Sequence, residues 1–284
     1  MFIIDMNQVM IANLYMQIGK HENAKIDINM LRHMVLNSIK AYRNQFCKSH
    51  GELIIACDST NYWRKDIFPY YKILRKKDQE KSEIDWTLVF KSFAEIIAEL
   101  KVFFPYRVIQ INKAEADDII ATLCFEFSER EPMLIISGDK DFRQLHINKN
   151  IKQFGPTEKK YIKVDDAELF LKEHIIRGDK GDSVPNFLSQ DDSFATKTRQ
   201  KNIMQTKVDV WLTQKPEEFC DEVTYPRYLR NKQLIDLRLI PENIKEQCLQ
   251  QYNEQASKIN DRSKLFNYFI KYRLRNLMES ISDF

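Results

Sequence analysis

Short apolar runs that end in aspartate recur along this chain. Residues 2–4 run into Asp5, residues 53–57 into Asp58, and residues 133–136 into Asp139 through Ser137-Gly138. Runs of this length and composition read as buried strands. Between them the apolar spacing changes to that of helices. Residues 27–46 carry Met30, Leu31, Met34, Val35, Tyr42 and Phe46 on one side, and residues 85–101 carry a wide stripe from Trp86 to Leu100. Residues 107–111 predict a further strand and residues 115–128 a further helix. Alternating strand and helix predicts an α/β fold with a mostly parallel central sheet flanked by helices. In such sheets ligands gather beyond the carboxyl ends of the strands, where these aspartates fall.

An Asp after a strand also caps the next helix. That explains any one of these acids. It does not explain the closely spaced acids of Glu115-Ala116-Asp117-Asp118, Asp139-Lys140-Asp141 and Asp179-Lys180-Gly181-Asp182. Converging carboxylates repel one another unless cations lie between them. Oxygen-only donors suit Mg²⁺ or Mn²⁺, and the dispersal of these acids is unlike a single EF-hand loop. Two such ions activate water and stabilise the leaving oxygen of a phosphodiester, with no His or Tyr required as base. Placed at a helix start, Glu115 and Asp117 are both expected to turn inward, with Asp118 behind them or capping the helix.

Charge and cysteine content narrow the class further. The 284 residues hold 44 Lys plus Arg against 41 Asp plus Glu, so masking the acidic clusters leaves a distinctly basic surface. That suits a polyanionic partner. Cys47, Cys57, Cys124, Cys220 and Cys248 form no Cys-x-x-Cys pair and no zinc spacing. With no leader read at Met1, a reduced cytosolic setting is expected. No apolar run reaches the roughly 18 residues of a membrane span, and no P-loop is present.

Residues 61–77, directly after Asp58, interleave bases with aromatics: Tyr62, Trp63, Arg64, Lys65, Tyr70, Tyr71, Lys72, Arg75, Lys76 and Lys77. Cations neutralise phosphates and aromatic rings stack on unpaired bases, so nucleic-acid contact is expected here, with Tyr71 a stacking candidate. A structural helix with one side packed down accounts for part of the pattern. Lys72 and Arg75, three apart, share a helix face and are expected to point toward a scissile phosphate. From about residue 165 the chain turns helical. Asp165 with Glu168 reads as a capping box for a helix through Ile176, and residues 242–280 as two more helices. Lys197, Arg199 and Lys201 are candidates for duplex-backbone contact.

Glu115-Ala116-Asp117-Asp118, Ser137-Gly138-Asp139-Lys140-Asp141-Phe142 and Gly178-Asp179-Lys180-Gly181-Asp182, in that order, resemble the flap endonuclease, or 5′-nuclease, family. Tyr62-Trp63-Arg64 and Tyr70-Tyr71-Lys72 narrow the likeness to its T-even bacteriophage ribonuclease H branch. The resemblance runs from residue 2 nearly to the C-terminus. It implies a PIN-like nuclease core over residues 1–180, including a basic arch at about 62–83. It also implies a helical duplex-binding region over residues 181–284 with a helix-turn-helix-like element. Asp5, Asp58, Glu115, Asp117 and Asp139 match the acids around a first Mg²⁺, and Asp141, Asp179 and Asp182 those around a second. Lys72, Arg75, Asp117 and Asp139 become the expected catalytic set. The implied activity is removal of RNA primers and adjoining DNA, 5′ to 3′, on RNA–DNA hybrids, flaps or nicked duplexes. The implied setting is the cytoplasm of an infected bacterial cell, as a monomer beside a single-stranded-DNA-binding protein. One departure is plain. Residues 183–193 contain no paired glycines, so the family's Gly-rich hairpin and its monovalent-cation site are not matched. Two rivals stay open at this stage: a PIN-type ribonuclease of other specificity, and a noncatalytic structure-specific DNA-binding module.

Overall fold

Four-residue apolar runs with no polar face must be covered on both sides. In the computed structural model, which describes residues 1–19, 26–256, 258 and 261–284, they form the middle of a six-stranded sheet. The strands are β1 (Phe2–Asp5), β2 (Leu53–Ala56), β3 (Arg107–Ile109), β4 (Met133–Ile136), β5 (Ile151–Gly155) and β6 (Lys160–Ile162), in the order β3-β2-β1-β4-β5-β6. All neighbours are parallel except β5 and β6. Phe2 lies in register with both Leu53 and Leu134, which brings the carboxyl ends of β1, β2 and β4 to one edge.

Helices cover both faces. The core on one face joins Phe2, Ile4 and Ile55 to α1 (Met6–Ile18), α2 (Ile28–His50) and α5 (Trp86–Phe103). The other joins Ile3, Ile54 and Ile135 to α6 (Ala116–Phe127). Between β2 and α5 lie α3 (Trp63–Ile67) and α4 (Ile73–Lys81), and α4 buries none of its residues. The chain then runs through α7 (Ala167–Arg177), α8 (Ser193–Thr196), α9 (Gln205–Thr213), α10 (Pro216–Phe219) and α11 (Thr224–Ile235). Here α7 packs with α9 and α11 over a third core that includes Phe68, Ile176 and Phe187. Among the described residues no helix is long and apolar enough to cross a membrane.

Two expectations need correction. The third strand stops at Ile109, where Gln110 turns its side-chain amide to the Asp58 carbonyl at 2.8 Å. The cap of α7 is Asp166, whose carboxylate accepts from Leu169 N, while Glu168 pairs instead with Arg238. Residues beyond 180 also reach the cores on the sheet. After α11 the chain returns, so that α12 (Glu242–Glu254) completes one face of the sheet through Ile244 and Cys248. On the other face, α13 (Arg262–Lys271) and α14 (Arg275–Met278) add Tyr268, Phe269 and Leu277.

A buried ion pair fastens that return. The Arg32 guanidinium on α2 donates to both Glu99 oxygens on α5 at 2.7 and 2.9 Å, and Tyr268 OH donates to Glu99 at 2.8 Å. Arg32 also stacks over Tyr272, 4.0 Å from its ring centre. Removing one partner strands the other charge away from water. Glu99→Ala is therefore expected to cost about 3–5 kcal/mol in urea unfolding; a cost below about 1 kcal/mol contradicts this role.

Candidate metal and nuclease centre

The three middle strands of the sheet, β1, β2 and β4, each hand an acid to the same edge. Asp5 closes β1 and caps α1, accepting from Gln8 N at 3.1 Å and from Ser137 Oγ at 3.1 Å. Asp58 follows β2 and is held by Asn7 Nδ2 at 2.8 Å and Ala116 N at 2.7 Å. Asp139 follows β4 and accepts from Asp141 N at 2.9 Å. The last two acids come from a tight bend after α7. Gly178 has a φ of +67°, and a Cβ there would lie 2.4 Å from the Val184 carbonyl oxygen. Asp179 and Val184 then pair backbone to backbone at 2.7 and 2.8 Å, which fixes Asp179 and Asp182 on one rim.

The result is a cleft of about 320 Å³ lined by Asp5, Asp58, Asp117, Asp139, Asp141, Asp179 and Asp182, together with Lys72 and Arg75. Seven of the eight acids expected at a metal site meet here. Burial pushes the Asp5 carboxyl up to about 7, helped by the charges of Asp58 and Asp139. Burial also raises Asp58, with Glu115 adding to it and Lys72 opposing. Asp117 is raised by burial and then by Asp139, Asp5 and Glu115, and Asp141 by burial and then by Asp139, Asp179 and Asp182. Asp179 goes the other way. Burial opposes ionisation there, but the hydrogen bond and charge of His174 outweigh it, with Lys140 at 3.1 Å assisting.

This donor set fits a divalent cation. The carboxylates crowd one another without enough positive charge to balance them, and Asp141 Oδ1 is buried with no hydrogen-bond partner. Asp141, His174 and Asp179 each offer one ligand atom within 4.8 Å of the others. His174 Nε2 lies 3.0 Å from Asp179 Oδ2, and its buried Nδ1, also without a hydrogen-bond partner, 3.7 Å from Asp141 Oδ1. Sequence reasoning missed this histidine. Its only signal is its place one turn before the Gly178 bend.

The structure places several other expected site residues differently. Glu115 does not turn into the cleft beside Asp117. As N-cap of α6 it accepts from Arg64 Nη1 at 2.8 Å, from Tyr71 OH at 2.9 Å and from Lys72 Nζ, whose side chain lines the cleft. Asp118 does serve as a cap, accepting from Glu115 N at 2.9 Å. Trp63, Arg64 and Tyr71 are buried and not available for stacking or phosphate contact. Trp63 Nε1 donates to Asp118 at 3.0 Å, Arg64 clamps Asp118 and Glu115, and Tyr71 OH donates to Asp182 at 2.7 Å. The reason is charge: two buried acids need donors, and this stretch carries the nearest ones. Lys72, in a left-handed conformation at φ 58°, pairs with Glu115 and lies 3.8 Å from Asp182. Burial disfavours its charge, but Asp182 and Glu115 keep it firmly protonated. Arg75, half exposed, reaches Asp182 at 2.7 Å. Tyr62 is half-buried and flanked by Lys65 and Lys72, 5.3 and 5.0 Å from its ring centre. Lys76 is exposed, and Lys77 donates to the Ala195 carbonyl at 2.6 Å. Lys197, Arg199 and Lys201 are all exposed on the segment from α8 to α9.

A stability signature follows. In chelator, Asp5 holds its proton more tightly folded, at about 7, than at the ordinary 3.8 of the unfolded chain. Its contribution to stability is therefore fully present below 3.8 and is lost as pH rises through 7. The chelated protein is expected to melt at a lower temperature at about pH 8 than at about pH 5, with a smaller fall in Asp5→Asn. Mg²⁺ at about pH 8 is expected to restore the difference. Equal slopes for the two proteins contradict this reading of the cleft.

Residues 1–174 match the family described as 5′-3′ exonuclease, N-terminal resolvase-like domain, and residues 165–284 match T4 RNase H, C terminal. The chain is 36% identical to the ribonuclease H of Enterobacteria phage T4, over 99% of this chain and 95% of that protein. It is 28% identical to flap endonuclease Xni of Shewanella woodyi, over 61% of this chain and 68% of that one. Its fold is similar to that of a bacteriophage T5 protein co-crystallized with metal ions, with a TM-score of 0.66 and 16% identity over 90% of this chain and 99% of the other. A T5 flap endonuclease in complex with DNA and metal ions superposes with a TM-score of 0.61 at 17% identity, covering 90% and 98% of the two chains. Acids converging at the carboxyl edge of a parallel sheet, a helical C-terminal region and these matches agree: the chain belongs to the 5′-3′ exonuclease and flap endonuclease family and is a nuclease.

Proposed function

We propose that this nuclease has a PIN-like core and works as a metal-dependent 5′-3′ exonuclease and flap endonuclease. Its substrates are RNA–DNA hybrids, flaps and nicked duplexes, from which it removes RNA primers and adjoining DNA of lagging-strand fragments. The observation that carries the reading is one cleft holding seven carboxylates beside Lys72 and Arg75. A binding module has no use for so costly a concentration of like charge, whereas hydrolysis of a phosphodiester does. A phage relative named ribonuclease H, matched over nearly the whole chain, supports an infected bacterial cell as the setting.

Two Mg²⁺, or Mn²⁺ in their place, are the cofactor. Asp5, Asp58, Asp117 and Asp139 would hold one, and Asp141, Asp179 and Asp182, with His174 alongside, the other. Bound there, the ions would polarise water and phosphate and stabilise the leaving oxygen. The chain's own residues do the rest. Arg75 is half exposed and paired with Asp182, so an incoming phosphate can take its guanidinium from that carboxylate. Lys72 approaches from the same side on the Glu115 anchor. Tyr62, Lys65 and Lys76 extend the contact along a single strand. Lys197, Arg199 and Lys201 follow the duplex backbone. A single-stranded-DNA-binding protein and a monomeric state complete the proposal.

Asp117→Asn is expected to abolish Mg²⁺-dependent cleavage of a 5′-flap substrate while duplex binding, read by gel shift in Ca²⁺, is retained. Cleavage at an undiminished rate in chelator contradicts metal dependence. Lys72→Ala is expected to slow single-turnover cutting by about 10²-fold with little change in affinity; weaker binding alone contradicts its place near the cut. Replacing Lys197, Arg199 and Lys201 by alanine is expected to lower duplex affinity and to reduce the salt slope by about one for each phosphate no longer neutralised. An unchanged slope removes them from the interface.

A further inference from the structure

A second cavity, also about 320 Å³, opens beside the acid cleft and shares Asn7 and Asp58 with it. Its chemistry is different. Phe90, Phe93 and Ile97, one face of α5, form an apolar wall, and Tyr62 also lines the cavity. Phe93 and Ile97 are buried, but Phe90 is 47% exposed on this wall although it is a large aromatic. The lining holds no Lys or Arg among the described residues, but the Lys65 and Lys72 ammonium groups lie 5.3 and 5.0 Å from the Tyr62 ring centre.

We propose that this cavity takes the unpaired base of a nucleotide next to the scissile phosphate, stacked on Phe90. The inference rests on the nuclease reading of the adjoining cleft and adds a subsite to it. A nucleotide is itself split this way, into a phosphate that seeks cations and a flat base that seeks an apolar aromatic wall. The shared wall at Asn7 and Asp58 places the two environments next to each other. Drawing the base into the cavity unstacks it from its neighbour and turns its phosphate toward the acids. Stacking on an aromatic ring tolerates any base, which suits an enzyme that cuts wherever a junction occurs.

The test uses full-length protein and 5′-flap substrates carrying one abasic nucleotide, moved stepwise across the junction. Wild-type protein is expected to cleave at least one of these about tenfold more slowly than the intact flap. Phe90→Ala is expected to slow the intact flap by a similar factor and to show no further loss at that abasic position, and Phe90→Tyr to recover most of the rate. A 2-aminopurine at the same position, bound in Ca²⁺, is expected to change its emission with wild-type protein but not with Phe90→Ala. If no abasic position slows wild type, or the abasic loss is as large in Phe90→Ala, the cavity does not hold a base and the proposal is overturned. That result is also the one a pocket for a partner protein's side chain gives. Absence of any divalent-dependent cleavage of the intact flap would instead overturn the nuclease reading, and this proposal with it.

Discussion

Mutual repulsion among acids is the constraint around which this molecule is arranged. A parallel sheet brings strand ends to one edge, and here β1, β2 and β4 each bring an aspartate there. The bend at Gly178 adds two more from a separate part of the chain. Burial first, and then the neighbouring carboxylates, raises the affinity of Asp5, Asp117 and Asp141 for protons. Such a set is unfavourable by itself and favourable around divalent charge. Stability given up at the cleft is the ordinary condition of a catalytic centre.

The protein answers part of that repulsion with its own cations, and their placement separates two tasks. Arg64, buried, pairs with Glu115 and Asp118, and the buried Tyr71 hydroxyl hydrogen-bonds Glu115 and Asp182 without adding charge. They hold the stretch after β2 against α6 and the Gly178 bend. Lys72 and Arg75 neutralise from the front, where they also face the cleft. The same run of sequence therefore supplies the anchor and the face offered to substrate. The left-handed turn at Lys72 marks the change from one to the other.

Much of this was legible in the sequence, for identifiable reasons. Strand runs ending in Asp5, Asp58 and Asp139 are local patterns, and a parallel sheet leaves little freedom in where their ends lie. The cleft followed from them. What was not legible depends on contacts distant along the chain. The aromatic and basic residues at 62–77 allow both nucleic-acid contact and a helix packed down on one side, and Trp63, Arg64 and Tyr71 point inward, because Glu115 and Asp118, some fifty residues later, need donors. His174 gave no motif, since its partner Asp141 is far away and Asp179 is reached only through the bend. The return of the chain from α12 to α14 onto both faces of the sheet was hidden by ordinary helical patterns. On the α13 face it includes the Arg32–Glu99–Tyr268 contact, whose members are spread across the chain.

These acids converge in order to hold divalent ions, and anomalous scattering from a crystal soaked in Mn²⁺ tests that without reference to activity. Mn²⁺ peaks are expected inside the cleft among Asp5, Asp117, Asp139 and Asp141, with a pair separated by about 3.5–4 Å if both sites fill. Mn²⁺ found only outside the cleft, with these carboxylates unligated at saturating metal, would contradict it.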